Sequence, residues 1–201
     1  MPEYKGKDIT IQRFISQSTG KNEYLLISGH EAACIDMIDS FDNLKETLEK
    51  NRAELKYVLA THAHKTRVTA VDHLKTNFGG KFYLHEYDHE LLEPSTPKPN
   101  RYLKDNEILQ LGNIKIRVFH TPGHTKGSLS FWLEQVGIIF TGNTFVKGGH
   151  GKIWGPKSMS LIVFSLKRLN YNLPEETLIY PGDGELTSMK EEAWVNCLRS
   201  A

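Results

Sequence analysis

The run Thr61-His62-Ala63-His64-Lys65-Thr66-Arg67 decides how the rest of this chain is read. It follows the apolar residues Tyr57-Val58-Leu59-Ala60. A short apolar run of this kind reads as a buried strand, and two histidines two apart just past its end can turn imidazoles toward a metal. The next polar residues are Thr66, a neutral hydroxyl, and Arg67, a permanent cation that only donates hydrogen bonds. The pattern begins as a metal site and does not continue as one.

The chain around it has 201 residues, enough for one domain with a sizeable core, and a single domain over residues 1–201 is expected. Hydrophobic residues make up 39% and charged residues 24%, the balance of a water-soluble globular protein. The net charge of +1 argues against a nucleic-acid or membrane-surface partner. Basic residues are scattered apart from the pair Lys167-Arg168. Cys34 and Cys197 are too few and too far apart for a disulfide framework or a thiolate cluster. The N-terminal residues Met1 to Lys7 are polar and do not form a leader's apolar stretch, so a cytoplasmic location is expected.

Strands and helices are mixed along the chain, which implies α/β or α+β. Strands are expected at Ile9–Ile15, Glu23–Ser28, Ala32–Ile38, Lys56–Ala60, Lys81–His85, Leu129–Leu133, Gly137–Phe140 and Leu178–Tyr180, with a hairpin over 107–118. Helices are expected from Phe41 with Asp42 or Asn43 as cap, and over 68–78, 86–92, 160–169 and 190–198. Pro94 to Asn100 is proline-rich and reads as an irregular surface loop.

Four segments place polar residues just after apolar strands, where site residues gather in sheet enzymes. They are His62-Ala63-His64; His120-Thr121-Pro122-Gly123-His124-Thr125-Lys126-Gly127-Ser128; Phe140-Thr141-Gly142-Asn143-Thr144; and Tyr180-Pro181-Gly182-Asp183-Gly184. In this order and spacing they resemble the metallo-β-lactamase superfamily, and within it the glyoxalase II-like (hydroxyacylglutathione hydrolase-like) branch. The resemblance runs from about Asn22 to Ser188. It implies a four-layer αββα sandwich with the site at one sheet edge.

Carried over residue by residue, the resemblance implies a first metal held by His62, His64 and His124. The second metal's aspartate and histidine are replaced by Thr66 and Arg67, its histidine in the last segment by Asp183, and the carboxylate bridging both ions by Asn143. Three neutral imidazoles and water suit one zinc ion; the alternative is no metal, with the imidazoles bonded to one another and to water. A second dication beside a guanidinium would meet repulsion of at least ~4 kcal/mol at about 4 Å with an effective dielectric of roughly 20. Arg67 and Asp183 carry opposite charges, and an ion pair between them is expected to fill the vacated position. Asp183 is also the remaining candidate acid or base.

Lys152 and Trp154, in the loop from Gly148 to Gly155, match the resembled branch's cation and aromatic on its thiol-carrier side. They suit a small anionic ligand, though a solvated lysine and a loop-anchoring aromatic explain them equally well. His150 and His120 read as loop and structural histidines. The function expected is a hydrolase of a small ester or thioester with at most one metal. The alternative is a catalytically inactive pseudoenzyme that binds or regulates. A mononuclear iron oxygenase similar to persulfide dioxygenases needs an aspartate where Asn143 stands.

Overall fold

The computed structural model describes residues 3–200. In chain order the elements begin with β1 (Glu3–Lys5), β2 (Thr10–Ile15), β3 (Asn22–Ser28) and β4 (Glu31–Ile35). Then come α1 (Phe41–Asn51), β5 (Glu54–Leu59), α2 (Lys65–Val68), α3 (Val71–Phe78), β6 (Lys81–Leu84) and β7 (Arg101–Tyr102). The second half holds β8 (Ile108–Leu111), β9 (Ile114–His120), β10 (Leu129–Leu133), β11 (Ile138–Gly142), α4 (Pro156–Asn172), β12 (Leu178–Pro181) and β13 (Thr187–Ser188).

These strands form two mixed sheets, β1-β2-β3-β4-β5-β6-β7 and β13-β12-β11-β10-β9-β8. The first is antiparallel through β4 and parallel from β4 to β7. The second is antiparallel except where β11 runs parallel to β12. Alternation explains the layering. Along β9, Ile114, Ile116 and Val118 point one way and are buried, with Lys115 exposed between them. They meet Leu26, Ile35 and Leu59 of the first sheet in a core between the sheets, with Phe131 and Phe140 of the second sheet. The first sheet's other face packs Leu25, Cys34 and Val58 on Leu44 of α1 and Leu74 of α3. The second sheet's outer face packs Phe119 and Ile139 on Ile162, Leu166 and Leu169 of α4. This is the αββα sandwich that the family resemblance implied.

Several local expectations are corrected. Helix α1 starts at Phe41 with Ser40 as its cap, not Asp42 or Asn43. The single helix expected over 68–78 is two, α2 and α3, broken at Thr69-Ala70. The β-branched residues Val68, Thr69 and Val71 weaken helix propensity there. Residues 86–91 and 193–200 wind as 3-10 helices. Helix α4 starts four residues earlier than expected, with Pro156 in its first turn, where the missing N–H is harmless.

The sandwich gathers strand ends at one edge. The ladder between β11 and β12 shifts register between Phe140 and Gly142, and Gly142 takes φ 52°. A Cβ on Gly142 would lie 2.4 Å from Thr61 Oγ1, so only glycine lets this turn approach the histidine loop. The Leu129 N–H donates to Thr61 O at 2.7 Å and joins the two sheets at the same point. Phe140 anchors the inter-sheet core edge-on to Tyr24, at 4.9 Å between ring centres. Phe140→Ala is expected to lower stability by about 3–5 kcal/mol in urea denaturation; a loss below about 1 kcal/mol would contradict this packing.

Candidate metal centre

Three imidazoles converge at that edge. His62 and His64 follow β5, and His124 lies in the loop between β9 and β10. One ring nitrogen from each falls within 4.8 Å of the others. His64 Nδ1 and His124 Nε2 are 3.0 Å apart. Two ligands on a tetrahedral ion with bonds of about 2.0–2.1 Å stand roughly 3.3 Å apart, so the spacing is close to what one ion requires. The rings stand nearly perpendicular in pairs, at 89° to 90°.

The outer nitrogens of His62 and His124 are held by hydrogen bonds. His124 Nδ1–H donates to the Lys152 carbonyl at 2.7 Å, which leaves Nε2 as its lone-pair donor. The Thr61 hydroxyl donates its one proton to Asp36 Oδ2 at 2.6 Å. Its oxygen therefore accepts from His62 Nδ1–H at 3.0 Å, which frees His62 Nε2. Burial, followed by the nearby Arg67 charge, holds His62 well below the ordinary imidazole range. Burial also lowers His64, and it brings His124 down to about 4. All three are neutral at pH 7, as metal ligands must be.

Asp88 clamps both histidine loops. Its carboxylate accepts from Ala63 N at 2.9 Å, between the first two histidines. It also accepts from Gly127 N at 2.7 Å and from the Thr125 hydroxyl at 2.9 Å, just past the third.

Arg67 does not turn outward. Its guanidinium is fully buried and donates to Asn22 O at 3.1 Å, Gly182 O at 2.6 Å and Asn143 Oδ1 at 3.2 Å. A Cβ on Gly182 would sit 2.6 Å from Arg67 Nη2, so this cradle exists because residue 182 is glycine. The expected Arg67–Asp183 pair is corrected. Among the described residues the carboxylate paired with Arg67 is Asp36, with Oδ2 3.7 Å from Nε, and both side chains are buried. Asp183 is instead 54% exposed and pairs with Lys21 at 3.5 Å. The reason is topological: Asp36 follows β4, the parallel neighbour of β5, and lies under the histidine loop, whereas Asp183 follows β12 on an open turn. Burial pushes the Asp36 carboxyl up, and the guanidinium with the two Thr61 hydrogen bonds pulls it back.

A cavity of about 600 Å³ opens over the imidazoles. Thr66, Asn143, Asp183, Lys152 and Trp154 all line it, as do His150 and Lys21. Lys152 Nζ lies 4.3 Å above the Trp154 ring. His120 stacks on His85 at 4.1 Å and stands outside this cavity. Asp36, Asp88 and Lys21 were not among the sequence candidates. Asp36 alone left a signal, as an acidic residue directly after the apolar run Ala32-Ala33-Cys34-Ile35.

A sandwich of two sheets with imidazoles at the strand ends defines a class of metal-site protein. Residues 24–183 match the Metallo-beta-lactamase superfamily, and the chain belongs to it. It is 30% identical over 176 residues to the hydroxyacylglutathione hydrolase of Brucella ovis, covering 87% of this chain and 65% of that protein. The chain thus spans just under two thirds of that relative's length. Among solved structures, the BLEG-1 B3 metallo-beta-lactamase superposes with a TM-score of 0.81 at 26% identity, over 90% of this chain and 95% of its own. A protein solved in a di-iron-bound form gives 0.77 at 28% identity, over 90% and 96%.

Asp36→Asn keeps the shape and removes the charge that answers Arg67. Urea denaturation is expected to show a loss of about 3–5 kcal/mol. Zinc affinity is expected to fall about 10–100-fold through the Thr61 link. An unchanged midpoint together with unchanged affinity would contradict the arrangement.

Proposed function

We propose that this chain is a hydrolase of a small ester or thioester that works with one divalent ion, zinc, held by His62, His64 and His124. The observation that carries the reading is the convergence of three neutral imidazole nitrogens within 4.8 Å, two of them oriented by bonds from their far nitrogens. Bound there, the ion would polarise an acyl carbonyl and bring the pKa of a water down to about 7.

The remaining work falls to the chain's own groups. The Arg67 guanidinium stands where a second ion would go and supplies a fixed positive charge beside the cavity, neutralised from below by Asp36. Asn143 spends its carbonyl oxygen on Arg67, so its amide N–H groups remain as donors for a substrate oxygen. Asp183 lines the cavity and is accessible, in position to take or return a proton. Lys152 and Trp154 bind the anionic part of the substrate by charge and by stacking. Thr66 offers only a hydroxyl for holding water. Losing the aspartate at that position implies turnover slower than in a two-metal enzyme by about 10²-fold or more.

The relatives support this class of reaction and leave the metal open, since one neighbour was solved with iron. Both cysteines are free, Cys34 buried and Cys197 exposed, which supports a reducing, cytoplasmic setting. Among the described residues no helix is long and apolar enough to cross a membrane.

Metal-depleted protein should gain activity on p-nitrophenyl acetate or small acyl thioesters as zinc is added, with the rise complete at one ion per chain. His124→Ala should lower that activity at least about 100-fold. Equal activity in metal-depleted and zinc-loaded protein, or in His124→Ala, would overturn the proposal, and no activity at all would favour a binding protein.

A further inference from the structure

The imidazoles wall two cavities, not one. His64, His124 and Trp154 line the main cavity and also a second one of about 420 Å³, so the two share a wall. The two differ in chemistry. The main cavity carries Lys21, Lys147 and Lys152. Asp183 and Glu185 on the same lining pair with Lys21 and Lys147, so Lys152 is the cation it offers to an anion. The second is walled by Tyr87 and Leu91 of the 3-10 helix at 86–91 and by Leu161 of α4. Its one buried carboxylate, Asp88, has its oxygens engaged by Ala63, Thr125 and Gly127 and presents no free charge to a ligand. Glu90 and Lys126 are exposed residues of opposite sign on its lining. Tyr87, Leu91 and Trp154 are 58%, 44% and 62% exposed, large apolar side chains left open to water around one concavity. A volume of this size falls in the range of ligand pockets, about 300–1,000 Å³.

We infer that the second cavity receives the acyl arm of the substrate, an unbranched or aromatic apolar group of several carbons, while the lysine-lined cavity receives an anionic alcohol or thiol arm. This rests on the hydrolase reading. The carbonyl then lies over the imidazoles, with one arm in each cavity. Water adds across the acyl bond: its oxygen joins the acyl carbon, the carbon–sulfur or carbon–oxygen bond breaks, and a proton goes to the departing thiol or alcohol. Trp154 borders both cavities, and Lys152 Nζ lies 4.3 Å above its ring. The His64 ring lies edge-on to it at 6.2 Å. Charge sets the orientation, since an apolar chain gains nothing among the lysines and an anion would lose its hydration against Tyr87, Leu91 and Leu161.

The test compares S-acetyl and S-hexanoyl thioesters of 3-mercaptopropionate on the zinc-loaded protein, alongside calorimetric titration of the metal-depleted protein with sodium hexanoate and sodium acetate. The hexanoyl thioester is expected to have the higher kcat/KM, by about 10-fold or more. Leu91→Asp, a change at an exposed position, and Leu161→Phe, which fills the cavity, should each reduce that ratio about 10-fold. Hexanoate should bind more tightly than acetate, and the same two variants should remove the difference. Acetyl turnover that equals hexanoyl turnover, with a ratio unmoved in both variants, would overturn the acyl-arm assignment and leave the hydrolase reading standing. No turnover of either thioester, with hexanoate still bound and lost in Leu91→Asp, would overturn the hydrolase reading and keep the apolar site. No turnover and no preference for hexanoate would overturn both.

Discussion

The Asp36 carboxylate serves two groups at once, and the rest of the site depends on that sharing. One oxygen takes the Thr61 hydroxyl, which in turn takes the His62 Nδ1 proton and fixes that ring with its other nitrogen free. The same oxygen faces the buried Arg67 guanidinium at 3.7 Å. A guanidinium without a buried anion would be too costly to keep in this position, and an anion without the guanidinium would lose its main counter-charge. Asp36 sits at φ 53°, a left-handed conformation an aspartate tolerates better than most residues, just where β4 gives way to the loop beneath the histidines. The hydrogen bonds that orient His62 and the ion pair that holds Arg67 therefore meet on one carboxylate.

This unit reaches beyond the histidine loop. Arg67 reaches Asn143 and Gly182, which belong to the turns after β11 and β12. A single cation thus ties the turns after β11 and β12 to the helix that follows the histidine loop. Asn143 suits it better than a carboxylate held for a metal, since its oxygen accepts from Nη2 without adding buried charge. Gly182 leaves the space that Nη2 occupies. Asp183 stays exposed on the cavity lining and pairs with Lys21 through an ion pair of little energetic weight.

The mix of strands and helices was legible because its cues are local: apolar runs followed within a few residues by His62, His124, Asn143 and Asp183. The sandwich itself, and His124 as the third of a set with His62 and His64, came from the resemblance carried by the four segments taken together. The partner of Arg67 was not legible. Opposite charge pointed to Asp183, yet the choice between two carboxylates depends on which strand end lies beneath β5, and that follows from the parallel pairing of β4 with β5. Asp88 escaped notice because its contacts, to Ala63, Thr125 and Gly127, are to backbone and hydroxyl groups far away in sequence. The 3-10 helix at 86–91 was expected as an ordinary helix, since apolar spacing over six residues does not separate the two windings.

The central claim is that a guanidinium, and not a second ion, occupies the place beside the histidine triad. Anomalous diffraction from crystals soaked in zinc tests it most directly. The account predicts one strong peak within bonding distance of His62, His64 and His124, with Arg67 still in contact with Asn143 and Gly182. A second peak of comparable strength beside Asn143 and Asp183, with the guanidinium displaced from Gly182, would contradict it.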